Sequence, residues 1–102
     1  MEHRWNARSP ISARVELRTP GGRCLSGRTR NVSPYGMYVE TEAASLQLQA
    51  FVTVTLRGAR LPSATLPALV VHRDRGGLGL MFADYDRDVM ESLETVCACA
   101  TG

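Results

Sequence analysis

The sequence predicts a mainly β domain: six antiparallel strands closed into a small barrel, with one C-terminal α-helix. Three observations carry this. Apolar and polar residues alternate with period two through much of residues 13–82, the pattern of half-buried strands. Clusters of Pro and Gly punctuate that pattern at short intervals: Thr19-Pro20-Gly21-Gly22, Ser33-Pro34-Tyr35-Gly36 and Asp74-Arg75-Gly76-Gly77, each suited to a tight turn. From about Asp86 the period changes. Val89, Met90, Leu93, Val96, Cys97 and Ala100 then fall at helical spacing, with Glu91 and Glu94 outside that stripe. Consecutive hairpins favour antiparallel pairing, and so many strands in so short a chain favour a barrel with the helix packed on it.

Taken in order, residues 1–12 form a polar, basic arm with a single Trp and no hydrophobic period, and residues 13–102 form the folded domain. Ala13 to Arg18 is the first strand, with Ala13, Val15 and Leu17 facing inward. Pro second and Gly third in 19–22 predict a type II turn. Arg23 to Asn31 is the return strand, less clearly patterned. After a type I turn at 33–36, Tyr35 to Thr41 places Met37 and Val39 on one face and Tyr38 and Glu40 on the other. Residues 42–50 are an irregular connection. Phe51 to Arg57 is the next strand, with Val52, Val54 and Leu56 inward. Ala64 to Arg73 follows, where Pro67 predicts an edge position or a bulge. Leu78 to Phe82 completes the sheet. Asp86 or Asp88 can cap the helix.

Composition bounds the function. The chain has 102 residues, 44% of them hydrophobic and 22% charged, which suits one globular domain. Its net charge is only +2, yet the charge is unevenly placed. Residues 1–30 carry seven Arg against two Glu, whereas residues 84–102 carry one Arg against five acids. Every basic residue is Arg, whose planar fork matches phosphate oxygens and the O6/N7 edge of guanine. The N-terminus lacks the apolar core of a signal peptide, and no apolar run reaches spanning length, so a cytoplasmic protein without membrane insertion is expected. Three Cys (Cys24, Cys97, Cys99) are read as free thiols. Cys97-Ala98-Cys99 has no second ligand pair, so no metal is expected.

Asn31 and Ser33 carry the chemistry. Two apart on an extended strand, their side chains share a face and offer a carboxamide and a hydroxyl able to read a base edge. Gly36 permits close approach of a ligand or of another backbone. Arg4 and Arg8 sit four apart in the arm ahead of them.

Arg4-xxx-Arg8 in an N-terminal arm, followed by Asn31-x-Ser33-xx-Gly36 after the second strand, resembles the PilZ domain family. The resemblance covers essentially the whole chain. It includes the order of six strands and a helix, the Gly79-Leu80-Met81-Phe82 run in the last strand, and the acidic start of the helix. It implies a bacterial receptor for cyclic di-GMP, with Arg4 and Arg8 gripping phosphates and guanine, and Asn31, Ser33 and Gly36 forming the base-binding surface. Asn31 stands where family members often have Asp, which removes charge assistance to guanine N1–H and N2–H. The resemblance also puts His3, beside the first Arg, and His72, in the fifth strand, where a ligand contact can form, a solvated side chain being the other reading of each. Arg73 and Arg75 flank His72.

The implied mechanism is ordering of the arm. Fixing roughly ten residues costs about 10 kcal/mol or more at ~1–2 kcal/mol each, which charged contacts to the ligand must exceed. The ordered arm, which includes Trp5, then forms an effector surface acting in trans in motility, biofilm or exopolysaccharide control. An alternative is a PilZ-type interaction module independent of nucleotide. DNA or RNA binding is not expected, because the net charge is low and the six aromatics are expected mostly in core positions. Catalysis is not expected either: no Ser-His-Asp pattern or phosphate-cradling Gly loop appears, and nothing in the sequence pairs His3 or His72 with a carboxylate.

Overall fold

The computed structural model describes residues 10–41, 46–57, 64–84 and 87–101, with backbone alone for 98–101. Six strands run in the order β1 Arg14–Arg18, β2 Cys24–Ser33, β3 Gly36–Glu40, β4 Phe51–Leu56, β5 Ala64–Arg73 and β6 Gly77–Phe82, followed by α1 Arg87–Thr101. They close into an antiparallel barrel with neighbours β1-β2-β3-β6-β5-β4, β4 returning to β1. Closure follows from the sequence pattern. Each strand has one apolar face, and curling the sheet buries all of these faces together while leaving no unpaired edge.

The interior is filled by Val15 and Leu17 of β1, Met37 and Val39 of β3, Val52, Val54 and Leu56 of β4, Leu66, Ala68 and Val70 of β5, and Leu78, Leu80 and Phe82 of β6. Each fully buried Val or Leu stabilises by roughly 1.5–3 kcal/mol relative to exposure. The helix seals the barrel beside β2. Leu93 and Cys97 enter the core, Val89 and Val96 flank them, and the Cys97 thiol donates to the Val32 carbonyl at 3.5 Å. Of the described cysteines, Cys24 is exposed and Cys97 buried. Asp88 lies in the first turn of α1, as the helix dipole favours; Asp86 lies outside the described residues.

Four expectations change. First, Ile11, within the stretch expected to be an arm, is completely buried and joins the core ahead of β1. Second, the left-handed residue of the first hairpin is Gly22, with φ 93°, not Gly21. The Gly22 N–H donates to the Thr19 carbonyl and the Thr19 N–H to the Arg23 carbonyl, a type I turn continued by a bulge glycine rather than a type II turn. Third, Pro67 lies in a strand with neighbours on both sides, paired with Thr53 of β4 but one residue beyond the ladder with β6. Its carbonyl accepts from Ala83 N–H, so its missing donor faces the side where the β5–β6 register has run out at Ala68–Phe82. Fourth, of the described aromatics only Phe82 lies inside the barrel. Phe51 and Tyr35 are exposed, and Tyr38 is buried on the outer face.

The weak pattern of β2 has a specific cause. Its register against β3 shifts between Thr29 and Asn31. Before the shift the odd-numbered residues face inward, as the pairing of Leu25 with buried Leu17 shows. After it Val32 faces inward, opposite buried Met37. One extra residue, Arg30, reverses the faces, which is the effect of a β-bulge. A second bulge at Val71 shifts β5 against β6 between Val70 and His72.

Candidate nucleotide-binding shelf

The bulges assemble the site. Asn31 pairs with Tyr38, Tyr38 with Gly79, and Gly79 with His72. These four residues form one row across β2, β3, β6 and β5. The adjoining pairs Val32–Met37 and Met37–Leu80 point inward, so the row points outward. Without the extra residue at Arg30, Asn31 would face the core. Glycine at position 79 leaves a gap in the row between the Tyr38 ring and His72; a Cβ there would lie 3.0 Å from the His72 Cβ.

Charged groups hold this row rigid. The Arg30 guanidinium lies 4.6 Å from the Tyr38 ring centroid and its Nε donates to Glu40 at 2.8 Å. The Tyr38 hydroxyl donates to Asp74 Oδ1 at 2.5 Å, and this hydrogen bond, with burial, raises the phenol above its ordinary value. His72 Nε2 lies 3.2 Å from Asp74 Oδ2, so His72 does have a carboxylate neighbour. The β5–β6 turn creates that pairing by folding Asp74 back beside the strand. Asp74 also accepts from the Gly76 and Gly77 N–H groups at 2.9 and 3.1 Å. The Tyr38 and His72 contacts together draw its carboxyl down to about 2.

The turn beside the shelf is held by Ser33. Its hydroxyl accepts from the N–H groups of Tyr35 and Gly36, both at 3.2 Å, and donates to the Gly36 carbonyl at 3.4 Å. A hydroxyl has one donor and two acceptor positions, so these contacts occupy all of them, and Ser33 is only 4% exposed. Ser33 therefore positions the turn. Gly36 is likewise internal: a Cβ on it would lie 2.1 Å from the Leu80 carbonyl oxygen of β6. The close approach it permits is that of another backbone, the second of the two options open from sequence.

Arg4, Arg8, His3 and Trp5 lie outside the described residues. The stretch that follows them, residues 11–13, is described. The Thr29 hydroxyl donates to the Ile11 carbonyl at 2.6 Å and accepts from Ala13 N–H at 2.8 Å, while Thr29 N–H donates to the Ala13 carbonyl at 2.8 Å. Thr29 thus clasps residues 11–13 two residues from Asn31. Arg73 turns away, donating to the Leu46 carbonyl at 2.9 Å. Sequence reasoning missed Thr29, Arg30, Tyr38 and Asp74. A polar Thr at an inward position was the available signal for Thr29; the others depend on cross-strand register.

A closed six-stranded antiparallel barrel sealed by one helix, with a polar outer row beside its β2–β3 turn, defines the class of small β-barrel domains. The family model described as "PilZ domain" matches residues 2–98, and the chain belongs to the PilZ domain family. Among solved structures, the PilZ domain of YcgR from Escherichia coli, determined with c-di-GMP, superposes with a TM-score of 0.77 at 14% identity, over 99% of this chain and 92% of that one. The PilZ domain of CeSA from a cellulose-synthesizing bacterium gives a TM-score of 0.70 at 19% identity, over 95% and 100% respectively. No curated protein matches the chain in sequence. Among the described residues no helix is long and apolar enough to cross a membrane.

Proposed function

We propose that the chain is a cyclic di-GMP receptor and adaptor, in which the nucleotide bridges Arg4 and Arg8 to the shelf of Asn31, Arg30 and His72. The observation that carries this reading is the clasp of residues 11–13 by Thr29, beside Asn31. Arg8 is three residues from Ile11, a backbone reach of roughly 10 Å at 3.3–3.6 Å per residue, so its guanidinium can come over the shelf. A guanine lying across Gly79 would meet His72 on one side and the Tyr38 ring on the other, with the Asn31 carboxamide one strand beyond Tyr38. Arg30, its side chain 55% exposed, presents a planar cation to base or phosphate. Ser33 and Gly36 act by holding the turn.

The adaptor half of the proposal has its own support. Ser33 and Gly36 continue across the outer face into Met81, Leu69 and Phe51. Met81 and Phe51 are 45% and 56% exposed, an apolar row on which an effector can dock. The reading is a receptor, not an enzyme. Calorimetric titration with cyclic di-GMP tests it. Saturable binding by the wild type, abolished in Arg8→Ala with the ligand-free melting temperature unchanged, is expected. Wild-type protein that binds no cyclic di-GMP would leave the interaction module that works without nucleotide.

A further inference from the structure

A second charged feature, on β4, β1 and β2, adjoins the shelf through Glu40 and does not depend on the receptor reading. Arg14 of β1 is the register partner of Arg28 of β2, and Arg57, just past β4, donates its N–H to the Arg14 carbonyl. Three guanidinium-bearing residues therefore occupy one row on three adjacent strands, which lie about 4.8 Å apart. Like charges directly opposite on paired strands destabilise a sheet. Two acids line the same groove, and Glu40 is itself the register partner of Arg28 on β3, but the carboxylates pair with other arginines. Glu16 lies 3.3 Å from Arg57, and Glu40 is engaged by Arg30 at 2.8 Å. Among the described residues no carboxylate forms an ion pair with Arg14 or Arg28, and Arg28 reaches only the Ser12 hydroxyl, at 3.3 Å.

Between these side chains lies a half-open groove of about 480 Å³, lined by Arg14, Arg28, Arg57, Glu16, Glu40 and Ser26 among others. Its volume is within the range of roughly 300–1,000 Å³ usual for small-ligand sites, and none of the described residues lining it is aromatic. It therefore suits a compact, hydrophilic anion rather than a stacked base. Guanidinium forks bind phosphate oxygens in paired hydrogen bonds, and an anion bridging Arg14 and Arg28 would remove their mutual repulsion.

We propose that this groove is a binding site for a small multiply charged phosphate anion, held by Arg14 and Arg28 with Arg57 at its rim. The test uses inorganic pyrophosphate as probe and the full chain. Titration followed by calorimetry and by the arginine Nε–H resonances should show saturable binding that shifts Arg14 and Arg28. Arg14→Ala and Arg28→Ala should each lose about tenfold or more in affinity, the loss of one charge-assisted contact. Arg18→Ala, on the same face of β1 but outside the groove, should bind as the wild type does. Without anion, Arg14→Ala should melt no lower than the wild type, since it relieves a like-charge pair. Non-saturating binding, or an equal loss in Arg18→Ala, would overturn the proposal. So would a poly-glutamate peptide that binds the groove more tightly than pyrophosphate, which would make it a docking site for an acidic protein.

Discussion

Replacing Ser33 by Ala separates holding the turn from touching the ligand. The hydroxyl serves three contacts within its own turn. Two of them, from the N–H groups of Tyr35 and Gly36, are of ordinary but not short length. Tyr35 is 39% exposed, so its N–H can turn to water at small cost. Gly36 is buried against β6, so its N–H would be stranded at about 1–3 kcal/mol. The third contact, at 3.4 Å, adds little. Ser33→Ala should therefore lower unfolding stability by about 1–3 kcal/mol, measured by urea denaturation without ligand. Cyclic di-GMP affinity should weaken as well, by about 1 kcal/mol, through the displaced turn. A variant as stable as the wild type but binding cyclic di-GMP many-fold more weakly would refute this reasoning, because the hydroxyl would then act on the nucleotide itself.

Gly36→Ala drives a methyl into the Leu80 carbonyl oxygen, backbone that cannot rotate away, and should cost roughly 1–3 kcal/mol or more; a melting scan showing no loss would mean that β3 and β6 part more readily than their register implies. Thr29→Val keeps the shape beside residues 11–13 but removes the hydroxyl that links Ile11 and Ala13. It should expose the amides of residues 11–13 to hydrogen exchange while leaving those of β5 and β6 protected, and unchanged exchange at residues 11–13 would remove Thr29 from its role as clasp. Asp74 has a folded-state value of about 2 against an ordinary 3.8, so the stability it contributes is present above pH 4 and is lost as pH falls toward 2. Urea titrations across that window should show Asp74→Asn less stable than the wild type at pH 5, with the gap narrowing by pH 2; a gap that stays constant would mean that the carboxylate charge is not what the Tyr38 and His72 contacts stabilise.

Strand count, the inward set of Val, Leu and Met, and the helical stripe ending in Leu93 and Cys97 were legible in the residue pattern alone. These are local properties: a period of two or of 3.6 is written into neighbouring residues, and burial of one face follows from it. The candidate site was only half legible. Asn31, Ser33 and His72 could be named from the motif and from position, but their roles could not. Ser33 turned out to be taken up by its own turn, and His72 to be joined to Asp74, because both depend on what the backbone folds back to meet.

What the tertiary structure alone decided was which strands align and where they slip. The extra residue at Arg30 turns Asn31 outward, and the one at Val71 re-registers β5 so that His72 lies opposite Gly79. The convergence of Arg14, Arg28 and Arg57 likewise appears only when β4, β1 and β2 lie side by side. A bulge is a mismatch between two strands and a charge row is a relation among three, so neither is a property of any single stretch of chain.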